Sequence, residues 1–210
     1  MRLYGYWRSS AAYRLRIALG LKGLGWEDVP VHLVKGEQQE ATYLAKNPIG
    51  LVPTLELDDG TLLTQSLAIL DWLEEVYPTP ALLPSNPLER ARVRAAAHTI
   101  AVDTHPIQNA GVVKHLKTDF GASQEQGIAW MTHWMKRGFA AFQALAAPDT
   151  EFAMGDAPSL ADICLIPQLY NAHRWGLDLA PYPRLTEIER NCLALPAFAN
   201  AVPEAQPDAE

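Results

Sequence analysis

A chain of 210 residues, 49% apolar and 20% charged, has room for one large or two small domains with a real core, and it lacks the composition of a disordered protein. Its 17 Lys+Arg against 24 Asp+Glu give a formal net charge of −7, with no basic stripe on which a nucleic acid would settle. No window reaches the apolar length of a membrane span, no signal peptide is recognisable, and two isolated cysteines, Cys164 and Cys192, read as small core residues of a cytoplasmic protein.

The chain opens on "RLYGYW", a short β-type run. From Ala11 the apolar positions Ala11, Leu15, Ala18 and Leu19 recur at helical spacing, and glycines at 20, 23 and 25 supply a stop. "WEDVPVHLV" predicts a second strand, kept to an edge or a bulged position by Pro30. "KGEQQEATYLAKNP" holds a short helix ended by Pro48. "VPTLEL", "DDG" and "TLLT" form a hairpin signal with Asp59-Gly60 in the turn. "QSLAILDWLEEVY" then places Ile69, Trp72, Leu73 and Val76 on one helical face. The order is β-α-β-α-β-β-α.

"PTPALLPSNP", with four prolines in ten residues, breaks every period and reads as a linker. Beyond it, Val93, Ala96, Ala97 and Ile100 define a long helix that Pro106 is expected to kink. Ile128, Met131, Met135, Phe142 and Leu145 define another. "SLADICLIPQL" opens a third, with Ser159 and Asp162 at capping-box spacing. No strand pattern follows the linker. The expected organisation is an α/β domain over 1–80, a linker at 81–87 and an all-helical domain over 88–210. "VPEAQPDAE" is polar and proline-broken, which predicts a loose tail. The six histidines show no metal-ligand spacing.

Ser9 and Ser10 fall where a strand delivers the chain to a helix start. One serine is accounted for as an N-cap. Two in a row, after Trp7-Arg8, exceed what capping requires. A helix start offers unpaired N–H groups and the positive end of a dipole, and with a hydroxyl donor added the favoured anion includes a thiolate.

The stretches "RSSAAYRLRIAL", "NPIGLVPTLELDDGTLLTQSLAILDWLEEVYPTPALLP" and "DTHPIQN" resemble the zeta class of glutathione transferases, which includes maleylacetoacetate and maleylpyruvate isomerases. The likeness runs from Met1 to about "APYPRL". It implies a thioredoxin-like domain followed by a helical bundle, glutathione as cofactor, a homodimer, and cis–trans isomerisation of a small keto acid ending in carboxylates. Reversible addition of the thiolate gives an enolate, rotation follows, and expulsion of the sulfur regenerates glutathione.

By the same resemblance Ser9, with Ser10 close behind, donates to the glutathione sulfur. Pro53 is the family's cis-proline and turns the Val52 backbone toward the cysteinyl part of the tripeptide. Gln65 and Ser66 hold the γ-glutamyl carboxylate. His105 and Asn109, one turn apart on the kinked helix and so on one face, support the glutathione site. Arg8 and Arg174 match arginines placed around the substrate, where a planar fork suits a carboxylate.

Two departures stand beside these matches. Ala11 replaces the cysteine that usually follows the serine pair, which removes protein thiol exchange while leaving glutathione its own sulfur. Ala110-Gly111 follows "HPIQN" where related isomerases carry an arginine, so one carboxylate anchor is absent. A general transferase conjugating other electrophiles and a non-catalytic glutathione-binding protein are therefore the competing expectations.

Overall fold

Leu3 and Leu55 set the centre of the first unit. In a computed structural model that describes residues 1–210, β1 (Arg2–Gly5) pairs in parallel with β2 (Glu27–Pro30) and antiparallel with β3 (Thr54–Glu56). β3 pairs antiparallel with β4 (Leu62–Thr64), giving the strand order β2-β1-β3-β4. Leu3 lies opposite Asp28 on one side and Leu55 on the other, and Leu55 lies opposite Leu63. Pro30 ends an edge strand, where its missing N–H costs no ladder bond.

The parallel β1–β2 pair needs a crossover, which α1 (Ser10–Leu21) supplies. Leu15, Ile17, Ala18 and Leu19 of α1 are fully buried, each larger side chain worth about 1.5–3 kcal/mol of burial. The short α2 (Ala41–Leu44) precedes the hairpin, and α3 (Ser66–Val76) follows it. This is the thioredoxin-like order expected from the sequence.

The second unit, Leu82–Cys192, is helical throughout. It comprises α4 (Pro87–Ala101), α5 (His105–Gln108), α6 (Ala110–Phe120), α7 (Gln124–Leu145), α8 (Leu160–Arg174) and α9 (Pro183–Leu193), whose last residue belongs to the first unit. The expected kink at Pro106 is instead a break. α4 stops at Ala101, and Pro106 sits in the first turn of α5, where a missing N–H would have had no helical partner. Thr104 plugs the break by donating to the Thr99 carbonyl at 2.7 Å. Gly138 of α7 makes room for it, since a methyl there would overlap the Thr104 side chain. No helix is long and apolar enough to cross a membrane.

The largest departure from the sequence reading concerns residues 193–210. Leu193–Glu210 packs with Met1–Ala81 rather than with the helical unit to which 88–210 was assigned. The stretch is not loose. α10 (Pro196–Ala199) lies against α1, where Gly20 lets Ala197 approach closely. Phe198 is fully buried, and Gln206 donates to the Asn200 and Val202 carbonyls. Polarity and prolines suggested a solvated end, but Phe198 and Ala201 supply the apolar contacts that hold it down.

Candidate active site

The first half of the site is the entry to α1. Ser9 has extended backbone angles and caps the helix, its Oγ accepting from the Ala12 N–H at 3.2 Å. A serine hydroxyl has two lone pairs and one proton. Capping takes a lone pair, so the proton remains for an acceptor in front of the helix. Ser10 is the first helical residue and is buried, whereas Ser9 is half-exposed. Arg8 is also half-exposed, with its guanidinium 4.4 Å from the Trp7 ring and Nη2 donating to the Tyr6 hydroxyl at 3.1 Å. Arg8 Nε and Trp7 Nε1 are buried donors with no protein partner.

The second half is the loop before β3 and the start of α3. The Val52-Pro53 peptide is cis, as the resemblance implied. Tyr43 Oη and Asn47 Nδ2 both donate to the Leu51 carbonyl, at 2.8 and 2.7 Å, and Gln39 Nε2 donates to the Gly50 carbonyl at 3.1 Å. The Val52 N–H and C=O take no main-chain partner, which leaves an edge for strand-like pairing. Burial pushes the Tyr43 phenol up, so it remains a donor.

Gln65 stands at the start of α3 with φ 66, the only non-glycine residue at positive φ. It makes no side-chain cap bond. Ser66, first in the helix, is buried, and its hydroxyl accepts from Arg14 Nη1 at 3.2 Å. An uncapped helix start thus carries a serine and a buried cation together, a cradle for a carboxylate.

Arg14 was not assigned a role from the sequence, nor was its neighbour Arg16. Arg16 Nη2 donates to the Trp7 carbonyl at 2.9 Å and Nε to the Ala201 carbonyl at 3.1 Å. Burial pulls Arg16 down to about 10, which leaves it charged at neutral pH. The signal was present in "AAYRLRIAL". Residues two apart point about 200° away from each other on a helix, so Arg14 and Arg16 cannot share a solvent-facing side.

The remaining expected residues belong to the second unit. His105 opens α5, but Asn109 is the N-cap of α6, so the two do not share one helical face. Asn109 is occupied locally, accepting from the Val112 N–H at 3.0 Å and donating to the Pro106 carbonyl at 2.9 Å. A second interruption causes this difference: Asn109 itself is extended (φ −66, ψ 165) and separates α5 from α6. Arg174 ends α8, exposed, with its guanidinium 4.7 Å from the Trp175 ring. No group of three His, Cys, Asp or Glu side chains is arranged to hold a metal ion.

In the first unit, a spare hydroxyl proton at one helix start, an open strand edge at a cis-proline and a cationic uncapped helix start fit a peptide that carries both a thiol and a carboxylate. A thioredoxin-like unit of this kind followed in sequence by a helical unit defines a glutathione-binding protein. Family models for the N-terminal and C-terminal domains of glutathione S-transferase match residues 3–81 and 129–188. The chain is 47% identical to the maleylacetoacetate isomerase of Pseudomonas aeruginosa, over 99% of this chain and 98% of that one. It superposes on a holo maleylpyruvate isomerase, described as a bacterial zeta-class glutathione S-transferase, with a TM-score of 0.97, 45% identity and both chains fully covered. A maleylacetoacetate isomerase of Methylobacterium extorquens, solved with malonate and glutathione, gives 0.96 and 41%, again with both chains fully covered. The chain belongs to the glutathione S-transferase family, in its zeta class.

Proposed function

We propose that this chain is a glutathione-dependent cis–trans isomerase of maleylacetoacetate or maleylpyruvate. The observation that carries the reading is the Ser9 hydroxyl, whose proton capping leaves unused beside Arg8 at the electropositive end of α1. When bound, glutathione supplies a thiolate that adds to the double bond and leaves again. Ser9 donates to the sulfur and keeps it ionised. A free thiol titrates near ~8.5, and lowering that by ~2 units takes about 2.7 kcal/mol. One charge-assisted hydrogen bond of about 1.5–3 kcal/mol, aided by the helix dipole, is of that size.

Val52 pairs with the peptide through its main chain, beside cis-Pro53. Gln65 and Ser66 hold the γ-glutamyl carboxylate, with the Arg14 charge behind them. Ser10, buried as the first residue of α1, is the next candidate donor to the sulfur, and His105 has a supporting role at the tripeptide. Asn109 supports it indirectly, by fixing the chain between α5 and α6. Arg8 and Arg174 bind carboxylates of the substrate. Arg8 is partly prepared for this, since the Trp7 ring and Tyr6 hydroxyl hold its guanidinium while Nε keeps an unused proton. The Methylobacterium relative, solved with both malonate and glutathione bound, supports a dicarboxylate substrate.

Turnover of maleylpyruvate and maleylacetoacetate, with and without glutathione, tests the reading: activity is expected only with glutathione. The start of α6 at Ala110-Gly111 favours the second reading, conjugation of other electrophiles, because that helix start carries no cationic side chain. Arg174→Ala separates the two. It is expected to lower isomerase kcat/KM by about 10- to 100-fold, the loss of one carboxylate pair, while conjugation of a neutral electrophile is unchanged. An equal effect on both would favour the transferase. A homodimer and a cytoplasmic location complete the proposal. Apolar Val34, Ile49 and Leu51 are exposed in the first unit, as a surface for a second copy, and both cysteines are unpaired thiols.

A further inference from the structure

We propose that Asp208 is a positioning residue for the reactive loop, holding the Trp7 peptide so that Arg8 and Ser9 stand where the thiolate and substrate need them. This rests on the function proposed above and adds a role for a segment to which the reaction assigns none.

The Trp7 N–H donates to Asp208 Oδ2 at 3.0 Å. The Trp7 carbonyl accepts from Arg16 Nη2 at 2.9 Å, and the same guanidinium donates to the Ala201 carbonyl at 3.1 Å. Both main-chain polar groups of Trp7 are therefore tied to segment 193–210, one directly and one through a buried arginine. Trp7 is the residue immediately before Arg8. Its buried ring is the platform for the Arg8 guanidinium, and Tyr6 on its other side accepts both from Arg8 Nη2 and from the Ser9 N–H. Holding the Trp7 peptide thus fixes the turn that presents both functional side chains.

The holder is itself braced. Ala197 of α10 seats against Gly20 of α1, and Gln206 ties back to the Asn200 and Val202 carbonyls. A turn closed by the Ala209 N–H to the Gln206 carbonyl carries Asp208. Two residues on, Glu210 meets His32 Nε2 at 2.9 Å, and the His32 ring lies 5.4 Å from that of Tyr6. Asp208 thereby acts on the loop as a fixed acceptor. An acceptor role makes a sharp demand: an amide oxygen in the same place does the same work.

The experiment compares wild type, D208A and D208N as full chains. It measures the pH midpoint of thiolate absorbance of bound glutathione, glutathione Kd, isomerase kcat and KM, and the thermal midpoint. D208A is expected to raise the thiol midpoint by about one unit and to lower kcat about tenfold, at 1.36 kcal/mol for each. Glutathione Kd is expected to stay within about threefold, because Val52, Gln65 and Ser66 are untouched. D208N is expected to restore both the midpoint and kcat. A D208A protein with wild-type midpoint and kcat, or a D208N protein as impaired as D208A, would overturn this role alone. A wild-type protein showing neither thiolate nor turnover would overturn the proposed function, and this role with it.

Discussion

The starts of α3 and α8 both carry a serine, and they are finished in opposite ways. At α8, Ser159 accepts from the Ala161 N–H, while Asp162 accepts from the Ser159 N–H and hydroxyl, each at 2.8 Å. Its other oxygen accepts from the Ala153 N–H at 2.8 Å. Burial pushes the Asp162 carboxyl up, and these donors pull it back. The negative charge that a helix start attracts is supplied by the chain, and the site is closed. At α3 no side chain caps, Gln65 is held at positive φ, and a buried arginine adds charge of the sign that repels further donors and attracts a carboxylate. An unfinished helix start costs stability and leaves a place for a ligand. The entry to α1 lies between these cases, with its N–H capped and its hydroxyl proton retained.

Supplying or removing what finishes each start breaks the comparison. The largest effect is expected at the closed one. Asp162→Ala strips three buried donors of their acceptor and is expected to lower stability by about 3–5 kcal/mol, read as a shift in the urea midpoint. Glutathione affinity of the folded fraction should be unchanged. At the open start, Gln65→Gly relieves a positive φ and is expected to raise stability by about 1 kcal/mol. It should simultaneously weaken glutathione binding several-fold, because the amide is lost. Opposite signs from one substitution would mark the strain as maintained for binding. A gain in both would remove Gln65 from the site.

Much of this was legible in the sequence, for identifiable reasons. The β-α-β-α-β-β-α order, the Asp59-Gly60 turn and the Ser159/Asp162 box are local patterns whose physics is complete within a few residues. Ser9 stands out as one of two hydroxyls at a helix start, whereas the roles of Pro53 and Ser66 come from the family resemblance, because a proline before a strand and a serine before a helix are by themselves ordinary. What escaped depends on distant partners. The spacing of Arg14 and Arg16 shows that both cannot face solvent, but their partners, a serine 52 positions away and a carbonyl 185 positions away, are not written locally. The break after Ala101 is stabilised by Thr104 and by the absent side chain of Gly138, a pairing between two helices that no single-helix period reveals. The tail 202–210 reads as loose because its anchor, Trp7, lies at the other end of the chain.

Spectroscopic titration of bound glutathione in wild type and Ser9→Ala probes the role of the α1 hydroxyl most directly. The expected result is a thiol midpoint near or below neutrality in wild type, raised by about 1–2 units in the variant with binding largely kept, and turnover reduced by about 10- to 100-fold in step. Loss of the cap alone costs about 0.5–2 kcal/mol of stability, so the variant should remain folded. An unshifted midpoint in a folded Ser9→Ala protein would contradict a Ser9-held thiolate, and with it the mechanism proposed here.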